Sequence, residues 1–146
     1  MQINTTAPVV TRDQILIHAA IERVWQLQTD VARWPSWQPE VDGAQADGPL
    51  TVGSVFRWQT FGLDITSTVA ECEPPRRIVW TGPAQGIVAV HEWTLSVQRD
   101  DVLVQTAESW EGEPVKAQVA VMQRALDGSL RQWLANLKRA AEARTA

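Results

Sequence analysis

The sequence predicts an α+β fold in which a curved antiparallel sheet of seven strands wraps one long C-terminal helix, with two short helices after the first strand. Three observations carry this. From Val41 to Glu111 short runs of alternating character are punctuated by Gly, Pro and Asp at hairpin spacing. After Pro114 the period changes, and Met122, Leu126, Leu130, Trp133, Leu137 and Ala141 form one helical stripe. Near residue 20 a short helical period interrupts the strand pattern.

The first strand spans Val9 to His18, where Val10, Ile15 and Ile17 alternate weakly with polar neighbours. Ala20 to Gln28 follows as a helix, because Ile21, Val24, Trp25 and Gln28 fall on one face. Asp30 suits the N-cap of a second short helix through Val31 and Trp34, which Pro35 is expected to stop. Six strands come next: Val41 to Asp47, Ser54 to Phe61, Asp64 to Glu73, Arg77 to Gly82, Gly86 to Arg99 and Asp101 to Glu111. Their turns fall at Gly48-Pro49, Gly62-Leu63, Pro74-Pro75, Gly82-Pro83 and Asp100-Asp101. The last helix is expected to run unbroken from Val115 to Ala143, with Pro114 at its start and Lys138, Arg139 and Arg144 at its negative end. Gly128 within it marks a bend, a close backbone contact or a tolerated surface glycine.

At 146 residues one hydrophobic core is the default, and no break in composition divides the chain, so residues 1–146 are expected to form a single domain. The formal charge of -4, with no basic stripe, argues against a nucleic-acid partner. The N-terminal segment has neither a basic region nor an apolar run, and no stretch reaches the roughly 20 residues that span a bilayer. A cytoplasmic protein without integral membrane association, monomeric or homodimeric, is the expectation. Cys72 stands alone, which excludes an internal disulfide, and two histidines with one cysteine give no metal-ligand spacing. No phosphate-cradling loop or nucleophile elbow is present, and no metal or cofactor is expected. The aromatic choice is unusual: eight Trp and two Phe but no Tyr, so large flat side chains must be packed somewhere.

Strand alternation locates them. In the sixth strand Ala89, His91, Trp93, Leu95 and Val97 share the inner face, opposite Glu92, Thr94 and Ser96. A two-residue turn at Asp100-Asp101 would set Val97 against Val104, Leu95 against Thr106, Trp93 against Glu108 and His91 against Trp110. The same reasoning at Gly62-Leu63 sets Phe56, Trp58 and Thr60 against Val69, Ser67 and Ile65, and at Pro74-Pro75 sets Val69 and Glu71 against Trp80 and Ile78. The inner face so assembled carries Phe56, Trp58, Trp80, Trp93 and Trp110 with His91, Glu108 and a few hydroxyls among them, an apolar box of the kind that binds small molecules.

Four stretches, IHAAIERVWQLQTDVARWPSWQPEV, ITSTVAECEPPRRIVWTG, GIVAVHEWTL and ESWEG, together with the final helix, resemble in content and order the START-like, helix-grip (SRPBCC) superfamily. Within it the similarity is to the polyketide cyclase/dehydrase and lipid-transport branch. The resemblance implies a cavity between sheet and last helix, lined by Trp34 and Trp37 from the second short helix. Trp58, Trp80, His91, Trp93, Glu108 and Trp110 would line it from the sheet, and Met122 and Leu126 from the long helix. It also implies apolar ligands such as lipids, sterols or polyketides. Members that cyclise aromatic polyketides commonly place Tyr and Arg in the pocket, whereas this chain has no Tyr and its Arg57 alternates outward.

Three functions are therefore weighed. The first is binding of a small apolar or aromatic molecule, as carrier or sensor, with His91 and Glu108 orienting its polar end. The second is a cofactor-independent cyclase or dehydratase in which those two residues are catalytic and move protons. The third is a protein-interaction module using the outer face of the sheet, which predicts no ligand-sized cavity. Glu108 on an apolar face needs a partner or must hold a proton, and His91 is the candidate partner.

Overall fold

Seven antiparallel strands form one sheet in the order β1-β7-β6-β5-β4-β3-β2. They are β1 (Val9–Ile17), β2 (Val41–Ala46), β3 (Val55–Thr60), β4 (Leu63–Glu73), β5 (Arg77–Thr81), β6 (Val88–Gln98) and β7 (Asp101–Glu111). The structure is a computed structural model and describes residues 2–143, so Arg144 lies outside the described residues. Helix α1 (Ile21–Thr29), a single 3-10 turn (Val31–Arg33) and α2 (Trp34–Trp37) follow β1, and α3 (Glu113–Ala117) and α4 (Val119–Glu142) end the chain. Among the described residues no helix is long and apolar enough to cross a membrane.

Several local expectations need correction. Pro35 does not stop the second short helix but sits in the first turn of α2, where its missing N–H costs nothing. Asp30 makes no side-chain capping bond. The last helix is broken at Gln118, which leaves helical geometry at φ -145° and ψ 53°. The break lets Val115 of α3 pack with Val9, Leu126 and Leu130 while α4 takes its own direction.

Two hairpin registers differ from expectation by two residues. Gln98 pairs with Asp101, so the β6–β7 turn is Arg99-Asp100, with Arg99 at φ 59°. Thr60 pairs with Leu63, so the β3–β4 turn is Phe61-Gly62, with φ of 49° and 76°. Both central residues at positive φ fit the right-handed twist of the strands, and glycine in the second position spares Leu63 that conformation. A shift of two preserves the face of every side chain but changes partners. Trp93 now faces Thr106 and, for function, His91 faces Glu108 directly. In β4 Val69 faces Trp80 as expected, but an irregularity between Val69 and Glu71 puts Cys72, not Glu71, opposite Ile78.

The concave face of the sheet grips α4 through Leu126, Leu130, Trp133, Leu134, Leu137 and Ala141, all buried. Polar contacts fix the helix along its β1 edge and at its C-terminal end. Gln123 Nε2 donates to the Val10 carbonyl at 3.1 Å and to Asp127 Oδ1 at 3.0 Å, while Thr11 Oγ1 donates to Asp127 Oδ1 at 2.7 Å. At the C-terminal end Arg23 of α1 donates from Nε to the Ala141 carbonyl at 2.8 Å and from Nη2 to that of Ala140 at 3.0 Å. These two carbonyls belong to the last turn, which has no helical donors of its own.

Candidate functional site: a cavity beside an indole cluster

The aromatic side chains divide into two groups. Trp34, Phe56, Trp80, Trp93 and Trp133 are buried and packed ring against ring, with Trp58 at the border. Trp133 of α4 is the hub: its ring centre lies 5.1 Å from Trp34, 5.7 Å from Trp58, 5.3 Å from Trp93 and 6.3 Å from Trp80. Edge-to-face contacts dominate around Trp34, as ring quadrupoles favour. Hydrogen bonds then fix three indoles: Trp34 Nε1 donates to the Gln28 carbonyl, Trp133 Nε1 to Gln28 Oε1 and Trp58 Nε1 to Ser67 Oγ, each at 3.1 Å. The buried N–H groups of Trp37 and Trp93 have no partner among the described residues.

Beside this cluster, between the sheet and the N-terminal half of α4, lies a cavity of about 640 Å³. Of the sequence-predicted residues Trp58, Trp80, His91, Glu108, Trp110, Met122 and Leu126 line it. Trp34, Phe56 and Trp93 do not; they are fully buried behind its wall, where they hold Trp80 and Trp133 in place. Trp37 is half-buried against the core cluster and also lies off the wall. The opposite face comes from Ala125, Gly128, Ser129, Gln132 and Trp133 of α4, none of which was singled out for the site from sequence. Their spacing of three and four residues, continuing from Met122, is the signal that could have found them. Phe61 and Gln85, both at turn tips with positive φ, complete the mouth.

One wall of the cavity is polar and tightly organised. His91 is fully buried, its ring 5.3 Å from that of Trp80, 4.8 Å from Trp93 and 5.6 Å from Trp133. Its Nδ1 lies 3.0 Å from Glu108 Oε1 and its Nε2 2.8 Å from Thr106 Oγ1. The Thr106 hydroxyl gives its hydrogen to the Glu92 carbonyl at 3.0 Å, so it accepts from His91, and Nε2 carries the imidazole proton. Burial disfavours the imidazolium, so Nδ1 is left as an acceptor and the Glu108 Oε1 facing it donates. Glu108 Oε2 accepts from Trp110 Nε1 at 2.6 Å. Burial raises the Glu108 pKa to about 7, partly offset by the Trp110 bond, and burial lowers that of His91 to about 3. Burial therefore favours a carboxylic acid hydrogen-bonded to a neutral imidazole over the ion pair, with a single proton between Glu108 Oε1 and His91 Nδ1.

A second polar group lies at the far side of the sheet, near β2 and β3. Asn136 Nδ2 donates to Glu40 Oε2 at 3.0 Å and Gln132 Nε2 to Asn136 Oδ1 at 3.0 Å, while Thr60 Oγ1 donates to the Glu40 carbonyl at 2.7 Å. Arg57 is on the outer face, where it pairs with Asp64. Cys72 is half-buried outside the cavity, and burial raises its thiol pKa. Among the described residues no group of three or more His, Cys, Asp or Glu side chains is placed to hold a metal ion.

A seven-stranded antiparallel sheet gripping a C-terminal helix over an internal cavity defines the START-like, helix-grip class. The chain belongs to the family described as polyketide cyclase / dehydrase and lipid transport, whose sequence model matches residues 8–142. No curated protein matches the chain in sequence. Among solved structures, a hypothetical protein of Helicobacter pylori superposes with a TM-score of 0.85 at 22% identity, covering 96% of this chain and 92% of that one. A START superfamily protein from Mycobacterium smegmatis gives 0.75 at 14% identity, over 91% of this chain and 97% of the other. The di-domain ARO/CYC BexL from the BE-7585A biosynthetic pathway gives 0.77 at 20% identity, and the alignment covers 97% of this chain but only 53% of that protein. At these identities the likeness is one of fold.

Proposed function

We propose that this chain binds a small apolar or aromatic molecule in the cavity between sheet and α4, as a carrier or sensor. The carrying observation is the cavity itself: about 640 Å³, within the range of ligand pockets, with Trp58, Trp80, Trp110 and Trp133 on its walls. Indoles held from behind by other indoles keep such a space from collapsing, because moving one ring disturbs several edge contacts. The family's name and the ARO/CYC neighbour make a polyketide-like or lipid-like molecule the first class to test.

Native mass spectrometry of gently purified protein is the direct test. A stoichiometric adduct that can be extracted and identified supports the reading. A bare mass, unchanged after incubation with polyketide, sterol and fatty-acid panels, overturns it.

The His91–Glu108 pair favours a second reading, a cyclase or dehydratase acting on the same class of molecule. A carboxyl with a pKa of about 7 beside an apolar cavity has the proton affinity that general acid-base chemistry uses. On this reading Glu108→Gln abolishes turnover while ligand affinity is kept; equal losses of both favour binding alone. The outer-face interaction module loses its ground, since it predicted no cavity of ligand size.

A further inference from the structure

The wall that α4 contributes contains a mid-helix glycine and an arginine without a partner. Gly128 is exposed and lines the cavity, and a Cβ added there would meet no atom within 4 Å. Neither a close approach nor a left-handed backbone requires glycine at this place. With Ala125 and Ser129 on the same side, it leaves a gap between α4 and the β3–β4 turn, where Phe61 is 70% exposed on the opposite rim.

Arg124 stands one helical turn before Gly128 and lines the same opening. It is exposed, and its guanidinium makes no hydrogen bond or ion pair among the described residues. The carboxyl groups of the cavity wall are already engaged, Glu40 by Asn136 and Glu108 by His91 and Trp110. Among the described residues Arg124 is thus the cavity's available cation, on a chain whose formal charge is -4.

We propose that the occupant is an amphipathic anion that enters over Gly128, buries its apolar body against Trp58, Trp80 and Trp133, and leaves its anionic group at the rim on Arg124. The orientation follows from solvation and charge. At the rim the anion keeps part of its hydration and meets a guanidinium; at the inner end it would be desolvated among indoles beside the neutral His91–Glu108 pair, with no cation to meet it. This inference rests on the binding reading proposed above.

The test uses two dyes with the same ring system, anionic 1-anilinonaphthalene-8-sulfonate and neutral N-phenyl-1-naphthylamine, titrated by fluorescence at low ionic strength. The proteins are wild type, Arg124→Gln and Gly128→Leu, with circular dichroism to verify folding. Arg124→Gln is expected to weaken the sulfonate roughly three- to tenfold and to leave the neutral amine unchanged. Gly128→Leu is expected to weaken both, and added salt to erase the Arg124 effect. If Arg124→Gln affects both dyes alike or neither, the anion assignment fails while the cavity reading stands. If Gly128→Leu leaves both intact, the route over α4 is wrong. If neither dye binds wild type, the binding reading itself falls.

Discussion

Replacing Glu108 by Gln tests whether the buried pair holds a proton. A neutral Glu108 donates from one oxygen to His91 Nδ1 and accepts from Trp110 Nε1 at the other. Gln reproduces that pattern with its amide N–H and carbonyl. Unfolded, the carboxyl titrates near its ordinary value of 4.5; folded, burial holds the proton until about 7. Because the folded pKa is raised, the stabilising contribution is complete below about pH 4.5 and is lost as pH rises through about 7. A shift from 4.5 to about 7 corresponds to about 3 kcal/mol at 1.36 kcal/mol per pH unit, some 2.5 kcal/mol of it between about pH 5 and pH 8. His91 has the opposite sign. Its folded pKa is depressed to about 3, so its contribution is present above 6.5 and is lost as pH falls. Since His91 is present in both proteins, comparison with Glu108→Gln isolates the carboxyl. Urea unfolding followed by Trp fluorescence should give near-equal stabilities at about pH 5, and should leave wild type about 2.5 kcal/mol the weaker at about pH 8. A difference that does not change with pH would mean that Glu108 is ionised throughout, which would refute the neutral pair and remove the basis for acid-base chemistry at this site.

Gly112 has φ 123°, and an added Cβ would lie 2.2 Å from the Gly86 carbonyl oxygen, so Gly112→Ala should cost about 3 kcal/mol and lower Tm by roughly 10 °C in a calorimetric scan. Gly128→Ala should do the reverse: with open space at the Cβ, it should gain about 0.5 to 1 kcal/mol of helix stability, read as a higher urea midpoint. Arg23→Met removes two donors from the carbonyls of Ala140 and Ala141 and should cost about 1 to 2 kcal/mol, with faster amide exchange confined to the last turns of α4.

The order and type of the elements were legible because both periods are strong: alternation puts His91, Trp93 and Leu95 on one face, and helical spacing puts Leu126, Leu130, Trp133 and Leu137 on one stripe. Pairing partners were less legible. Moving a hairpin register by two residues leaves the faces unchanged, so the pattern alone could not separate His91 opposite Trp110 from His91 opposite Glu108. Turn chemistry decided it: the chain turns at Arg99-Asp100 and Phe61-Gly62, each one residue earlier than composition suggested. Nor does alternation tell how far an inward side chain stands from the helix opposite. Trp93 and His91 share a face, yet one lies behind the wall and the other on it.

That distinction is set by α4. Trp133 fills the space between helix and sheet, so at its level the two layers are joined through indole rings and His91 lies in contact with Trp133. One to two turns earlier the same side of the helix offers Ala125, Gly128 and Ser129, which do not reach the sheet. The C-terminal half anchors through Leu134, Leu137 and Ala141, and the N-terminal half is held mainly along its β1 side by Gln123 and Asp127. The helix is therefore fixed at one end and along one edge, and the unfixed quadrant faces the β3–β4 hairpin. A large side chain at Gly128 would convert that quadrant into core. Keeping glycine there, at a cost of about 1 kcal/mol relative to alanine, is what a chain would do if the opening rather than the helix were the feature being preserved.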